Sequence, residues 1–270
     1  MRRTGMACAG LMILAAGCSG GDDATPAKTT LMVYCAGTMS QPMQAIAKAY
    51  FEKTGVRAAL SYGDSGTLLI QAEKRKQGDG LVVHDPFAAM AEAKGLVTET
   101  RAMASMVPAI GIKIGTKGET EVKDLADLAK PGLKVGIPHP EHATAGQLLA
   151  AMLAKAGLAD GIMSKKDLLV SRASGDLVNA LGLESVDAIV AWDAIIRRDT
   201  KLKVVPIADK YVVDAVTSAT GKTYPARTVR ITLSVLKSSK DAGAMKAFLD
   251  FAAGPSGRAE FEKLGFSPAE

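Results

Sequence analysis

The chain has 270 residues, 48% hydrophobic and 23% charged, which supports a sizeable core and excludes fibrous and disordered classes. Only 4% are aromatic, so Leu, Val, Ile, Ala and Met must fill that core, as two lobes or domains at this length. A formal charge of +5, with no Lys/Arg stripe interleaved with aromatics, argues against a nucleic-acid partner.

Residues 1–18 read as a secretory signal peptide: a positive MRRTG, then an apolar MACAGLMILAAG too short to span a bilayer. Ala15, Ala16 and Gly17 directly before Cys18 resemble a bacterial lipoprotein cleavage box. That resemblance implies lipidation of Cys18 and a membrane anchor; the alternative is a plain signal peptide with an incidental cysteine. SGGDDATPAK, residues 19–28, reads as a flexible tether. Losing Cys8 and acylating Cys18 would leave Cys35 alone, so no internal disulfide is expected.

TLMVYCAG, from residue 30, reads as a strand. The helix that follows has Ser40 as its cap, Pro42 in its first turn, Met39, Met43, Ile46, Ala47 and Tyr50 at helical spacing, and Gly55 as its stop. VRAALSYG is a second strand, GTLLIQAEKRKQG a second helix and GLVVHD a third strand. Repeated strand, turn and helix favour a mostly parallel sheet with helices on both faces. ASMVPAIGIKI, residues 104–114, is a strand run leading to another lobe. There EVKDLADLAKPG is a short helix, LKVGIPHP a strand, and TAGQLLAAMLAKAG a helix with Leu148, Leu149, Met152 and Leu153 on its apolar side. SGDLVNALGLES is a further helix, VDAIVAWDAI a strand turning into a helix, and LKVVPIA a strand. RTVRITLSVLKSS, residues 227–239, returns the chain to the first lobe, and two helices close it. The expected division is 29–105 plus 225–270 for lobe one and 106–224 for lobe two, with a ligand crevice between them.

Three helices start at small, polar, glycine-containing turns: Gly37-Thr38-Met39-Ser40, Gly63-Asp64-Ser65-Gly66-Thr67, and His142-Ala143-Thr144-Ala145-Gly146. At a sheet's carboxyl edge such turns converge. Helix N-termini offer free N–H groups and partial positive charge, and Ser and Thr add hydroxyl donors without net charge. Together they suit a small oxyanion, although each turn alone is more often an ordinary cap.

These residues resemble the molybdate- and tungstate-type substrate-binding proteins of ABC transporters. The resemblance runs through VYCAGTMSQPMQAIAKAYFEKTGV, YGDSGTLLIQAE, LKVGIPHPEHATAGQLLAAMLAKAG and FLDFAAGPSGRAEFEKLGFSP, and covers nearly all of residues 30–268. It implies a two-lobed type II periplasmic binding (Venus-flytrap) α/β fold that closes over an oxyanion and delivers it to a membrane permease. It also implies a monomer without metal or cofactor, held outside the cytoplasm. Position by position, the family's ligand serines fall on Thr38 and Ser65, its backbone donor on Ala145, and a second-lobe backbone contact near Ala173 or Ser174. The family's ligand tyrosine belongs near VAWDA, where Ala191 and Trp192 stand; an indole N–H can donate but is not equivalent.

Other candidates keep two readings each. Asp64 either caps its own helix, the preferred reading, or accepts a bond from a protonated anion. Arg172 is a charged donor or a solvated face residue. Cys35 is a small core residue or a thiol with a lowered pKa beside a helix N-terminus. His84 and Asp85 end a strand near the crevice, and His142, flanked by His139, is expected to support its turn rather than bind metal. Molybdate or tungstate capture leads. Another anion in the same fold (phosphate, sulfate, an arsenic oxyanion or an organic acid), a secreted hydrolase built on Ser65, and a lipoprotein adaptor without small ligand are the alternatives. No G-x-S-x-G elbow supports the hydrolase.

Overall fold

A computed structural model describes residues 29–217, 221 and 223–269. The signal peptide, Cys18 and the tether lie outside the described residues.

The first lobe opens with β1 (Thr29–Ala36), α1 (Ser40–Thr54), β2 (Val56–Gly63), α2 (Ser65–Arg75), β3 (Gly80–His84), α3 (Phe87–Ala93) and β4 (Val97–Met106). α1 buries Met43, Ile46 and Tyr50 and ends at Gly55, whose φ of 74° only glycine adopts without strain. The chain crosses at Val107 into β5 (Pro108–Lys113), α4 (Lys117–Glu121), β6 (Val135–Pro138), α5 (Thr144–Ala156), α6 (Ala159–Met163), β7 (Leu169–Ser171), α7 (Ser174–Gly182), β8 (Ala188–Trp192), α8 (Asp193–Ile196) and β9 (Leu202–Pro206). A short hairpin, β10 (Ala215–Thr217) and β11 (Thr223–Pro225), precedes the return through β12 (Val229–Leu236), α9 (Ala242–Ala252), α10 (Pro255–Glu262) and β13 (Ser267–Pro268).

The six-stranded sheet of the first lobe has the order β13-β4-β12-β3-β1-β2, and the five-stranded sheet of the second has β7-β6-β8-β5-β9. Two lobes are thus present as expected, but each sheet is mixed rather than mostly parallel. β1 pairs in parallel with β2 and β3, and β6 with β7 and β8. β12 runs antiparallel to β3 and β4, and β5 antiparallel to β8 and β9. The parallel pairs come from local strand–helix–strand units. The antiparallel pairs of β12 and β5 come from strands that enter from the opposite lobe, where no crossover helix dictates direction, and the short β13 adds an antiparallel pair with β4.

Strand register sets the site. Ala36 pairs with Gly63 and Cys35 with Val82, so β1, β2 and β3 release their following turns side by side. In the second sheet Pro138 pairs with Ser171 and Gly136 with Ile189, which aligns the carboxyl ends of β6, β7 and β8. At the crossing, Val107 N–H donates to Asp193 Oδ1 (3.0 Å) and Val107 O accepts from Asp193 N–H (3.0 Å). The buried Asp193 thereby ties the connecting segment to α8.

Ser40 is not the cap of α1. A 3-10 turn at Gly37–Met39 precedes the helix, Met39 takes the cap position, and Ser40 is the first helical residue. Cys35 is fully buried, and burial pushes its thiol pKa up to about 12, the opposite of the lowered value a helix N-terminus would give. It is a core residue.

Candidate functional site

A cavity of about 460 Å³ lies where the carboxyl ends of the two sheets face each other. Gly37, Thr38, Ser65, Gly66, Ala145, Arg172, Ser174 and Trp192, all expected at the crevice, line it, whereas Asp85, also expected near it, does not. So do His84 and Phe87 from the first lobe and His142, Ile195 and Arg198 from the second.

Ser65 is the first residue of α2 and only 4% exposed, and its Oγ has no hydrogen-bond partner. The residue before it explains why. Asp64 takes the cap position and its Oδ1 accepts from Thr67 N–H at 2.9 Å, which frees Ser65 from capping duty. Burial pushes the Asp64 pKa up, but the bonds from Thr67 and Gly66 outweigh it and hold the carboxyl below its usual range. A depressed pKa contributes stability that is full above the ordinary aspartate range and lost as pH falls through the lowered value. Asp64→Ala is therefore expected to cost about 1 kcal/mol at neutral pH, and the difference should shrink at an acidic pH below the ordinary aspartate range. Urea unfolding of both proteins at the two pH values measures this.

In the second lobe α5 starts at Thr144, and helix geometry leaves its first N–H groups without backbone acceptors. His139, not His142, supports that turn: its Nδ1 accepts from the N–H groups of Glu141 and His142 at 3.2 and 3.3 Å. His142 instead stacks on His139, ring centroids 4.4 Å apart. Before α7, the Ala173 N–H is taken by Ser171 Oγ at 3.1 Å, so Ser174 is the better candidate of the two for a ligand contact.

Trp192 is buried at the end of β8, its ring 5.9 Å from that of His84. His84 Nδ1 lies 2.8 Å from Asp85 O, and burial pushes the imidazole pKa down, which keeps the ring neutral near pH 7. Asp85 is buried and paired with Arg230 Nε at 3.0 Å; it does not line the cavity.

Arg198 is a lining residue that the sequence does not announce. Its Nη2 donates to Thr38 O at 2.8 Å across the cleft, and its Nε is buried without a partner. Sequence gives little signal for it, since Arg197-Arg198 after a short helix reads as a solvated pair. Among the described residues no group of three or more His, Cys, Asp or Glu could hold a metal ion.

The sequence profile of the bacterial extracellular solute-binding proteins matches residues 31–267. The chain belongs to that family. This solute-binding protein is of the ABC-transporter type, a binder and not an enzyme, which removes the hydrolase reading of Ser65. No curated protein matches its sequence. Among solved structures it is similar to iron-bound HitA from Pseudomonas aeruginosa (TM-score 0.70, 17% identity, 89% of this chain and 86% of that one). It is similar to the periplasmic molybdate-binding protein of Azotobacter vinelandii (0.69, 17%, 89% and 100%). It is also similar to the sulfate-binding protein SubI from Mycobacterium tuberculosis H37Rv (0.68, 17%, 90% and 88%). At these identities the likeness concerns the fold, and the solutes in those names differ.

Proposed function

We propose that the solute-binding protein captures a small inorganic oxyanion, molybdate or tungstate foremost, and presents it to an ABC permease while anchored outside the cytoplasm through Cys18. The observation that carries this reading is the unpartnered, buried hydroxyl of Ser65 at a site where helix starts from both lobes converge. A buried hydroxyl without a partner costs about 1–3 kcal/mol, which an anion oxygen accepting its proton would offset. Thr38, the α5 N-terminus at Ala145, Ser174 and the Trp192 indole would supply further donors, with Gly37 and Gly66 letting the backbone come close and Arg172 adding charge at the mouth. Closing the lobes around the anion excludes water and strengthens each bond. Binding is the whole mechanism.

The cavity's volume and its Phe87, Trp192 and Ile195 walls favour a second reading, a small organic acid held by the same donors. Thermal unfolding of the purified protein against molybdate, tungstate, sulfate, phosphate, arsenate and arsenite separates the two. An anion at about 100 times its Kd should add ~2.7 kcal/mol of stability. Ser65→Ala should weaken binding about tenfold without lowering the ligand-free transition. If none of the six shifts the transition, the inorganic-oxyanion reading fails and carboxylic and phosphorylated acids are next.

A further inference from the structure

The carboxylates and cations of the cleft are unevenly matched. Asp64 is the one acidic residue among those lining the cavity, and its carboxylate is committed to capping α2. Arg172 and Arg198 also line it. Arg172 stands exposed, whereas Arg198 is half-buried just beyond α8. Its neighbour Arg197 has Asp193 at 3.7 Å, and Asp199 bonds the Lys201 N–H. Arg198 has no carboxylate within ion-pair distance among the described residues; it has only the Thr38 carbonyl and the face of Phe266, 5.5 Å from the ring centroid. A half-buried guanidinium with a free Nε and no counter-charge is costly to hold.

We propose that Arg198 is the specificity-determining residue of the site. Its guanidinium meets the ligand's negative charge, selects a doubly charged tetrahedral anion over a singly charged one of the same shape, and couples capture to closure because it already bridges to Thr38 of the other lobe. This rests on the reading of the cleft as an anion site. Neutral donors such as Ser65 and helix N–H groups recognise oxygen geometry, which both anions share. A fixed cation recognises charge, in which they differ. The guanidinium is planar and forked, so lysine should replace its charge but not its geometry.

Tungstate and perrhenate make the test, being tetrahedral oxyanions of closely similar size carrying two charges and one; sulfate and perchlorate are the smaller equivalent pair. Calorimetry on the purified protein should show tungstate bound at least about tenfold more tightly than perrhenate. Arg198→Met should lose about a hundredfold in tungstate affinity and under tenfold in perrhenate affinity, so that the preference collapses. Arg198→Lys should lose about tenfold while keeping the preference, and Arg198→Gln, which also removes the charge and should also lose the preference, serves as the working variant if the methionine protein fails to fold. Equal losses for both anions in Arg198→Met would assign Arg198 a purely structural role and overturn the inference. So would tungstate affinity unchanged in Arg198→Met, a result that leaves the anion reading standing. Failure of all four anions to bind the wild-type protein would overturn this inference, and only a failure of phosphate, arsenate and the other anions tested above would remove the anion reading with it.

Discussion

Replacing Gly146 with alanine is expected to destabilise the protein by about 2–3 kcal/mol and to weaken ligand binding. Helix propensity alone points the other way, since alanine is favoured over glycine inside a helix by ~1 kcal/mol. The contact decides. A Cβ on Gly146 would stand 2.1 Å from the His139 carbonyl oxygen, 2.5 Å from its carbon and 2.7 Å from the Pro138 oxygen. All three are backbone atoms at the end of β6, so no side chain can swing aside. α5 must tilt away from the strand, carrying the N–H of Ala145 with it. Gly175, in the first turn of α7, has nothing within 4 Å of the same added atom. Gly175→Ala should therefore be neutral or gain a few tenths of a kcal/mol. Denaturant unfolding should show a clear loss in Gly146→Ala and none in Gly175→Ala. A Gly146→Ala protein as stable as wild type would show that the turn at His139 yields without cost.

The second large effect is expected at Asp79, far from the cleft. Its Oδ2 accepts from Met32 N–H (2.8 Å), and its Oδ1 from Ser239 Oγ (2.7 Å) and Lys240 N–H (3.1 Å). Its own backbone bonds Met32 O and Leu236 N–H. One carboxylate, 9% exposed, thus joins β1, the start of β3 and the end of β12. Alanine would strand two backbone donors and a hydroxyl where water reaches poorly, at a cost of about 3 kcal/mol. Asparagine in its place would keep one acceptor oxygen but turn an amide N–H₂ toward the remaining donors. Asp79→Asn should thus recover only part of the loss. Exposed pairs such as Lys94 with Glu73 offer no comparable effect, because water replaces them. A midpoint of urea unfolding unchanged in Asp79→Ala would mean that those donors find water after all.

Local chemistry is the readable part of this molecule. The apolar spacing of Leu148, Leu149, Met152 and Leu153 identifies α5, and all four are buried. Asp64 is legible as a cap because a cap involves only three or four consecutive residues. The convergence of the turns follows from sequence because parallel strands release their helices at one edge. What escapes is whatever depends on distant partners. Apolar periodicity does not encode strand direction, so the antiparallel placement of β12 is invisible to it. Arg198 bonds the carbonyl of Thr38, 160 positions away, and nothing near it in sequence marks it. His139 takes the turn-supporting role expected of His142 because both flank the same turn, and only the ring geometry shows which nitrogen the backbone uses.

The position of β12 between β3 and β4 also fixes an order of assembly. All five strands of the second sheet are in hand once residue 206 has been made, whereas the first sheet lacks an interior strand until residues 229–236 arrive. Until then β3 and β4 each present an unpaired edge, the feature by which partly folded chains recruit one another. The lobe that begins the chain is therefore the last to have all the strands of its sheet available. Its closing step joins segments more than a hundred residues apart and is slow relative to the local units it completes.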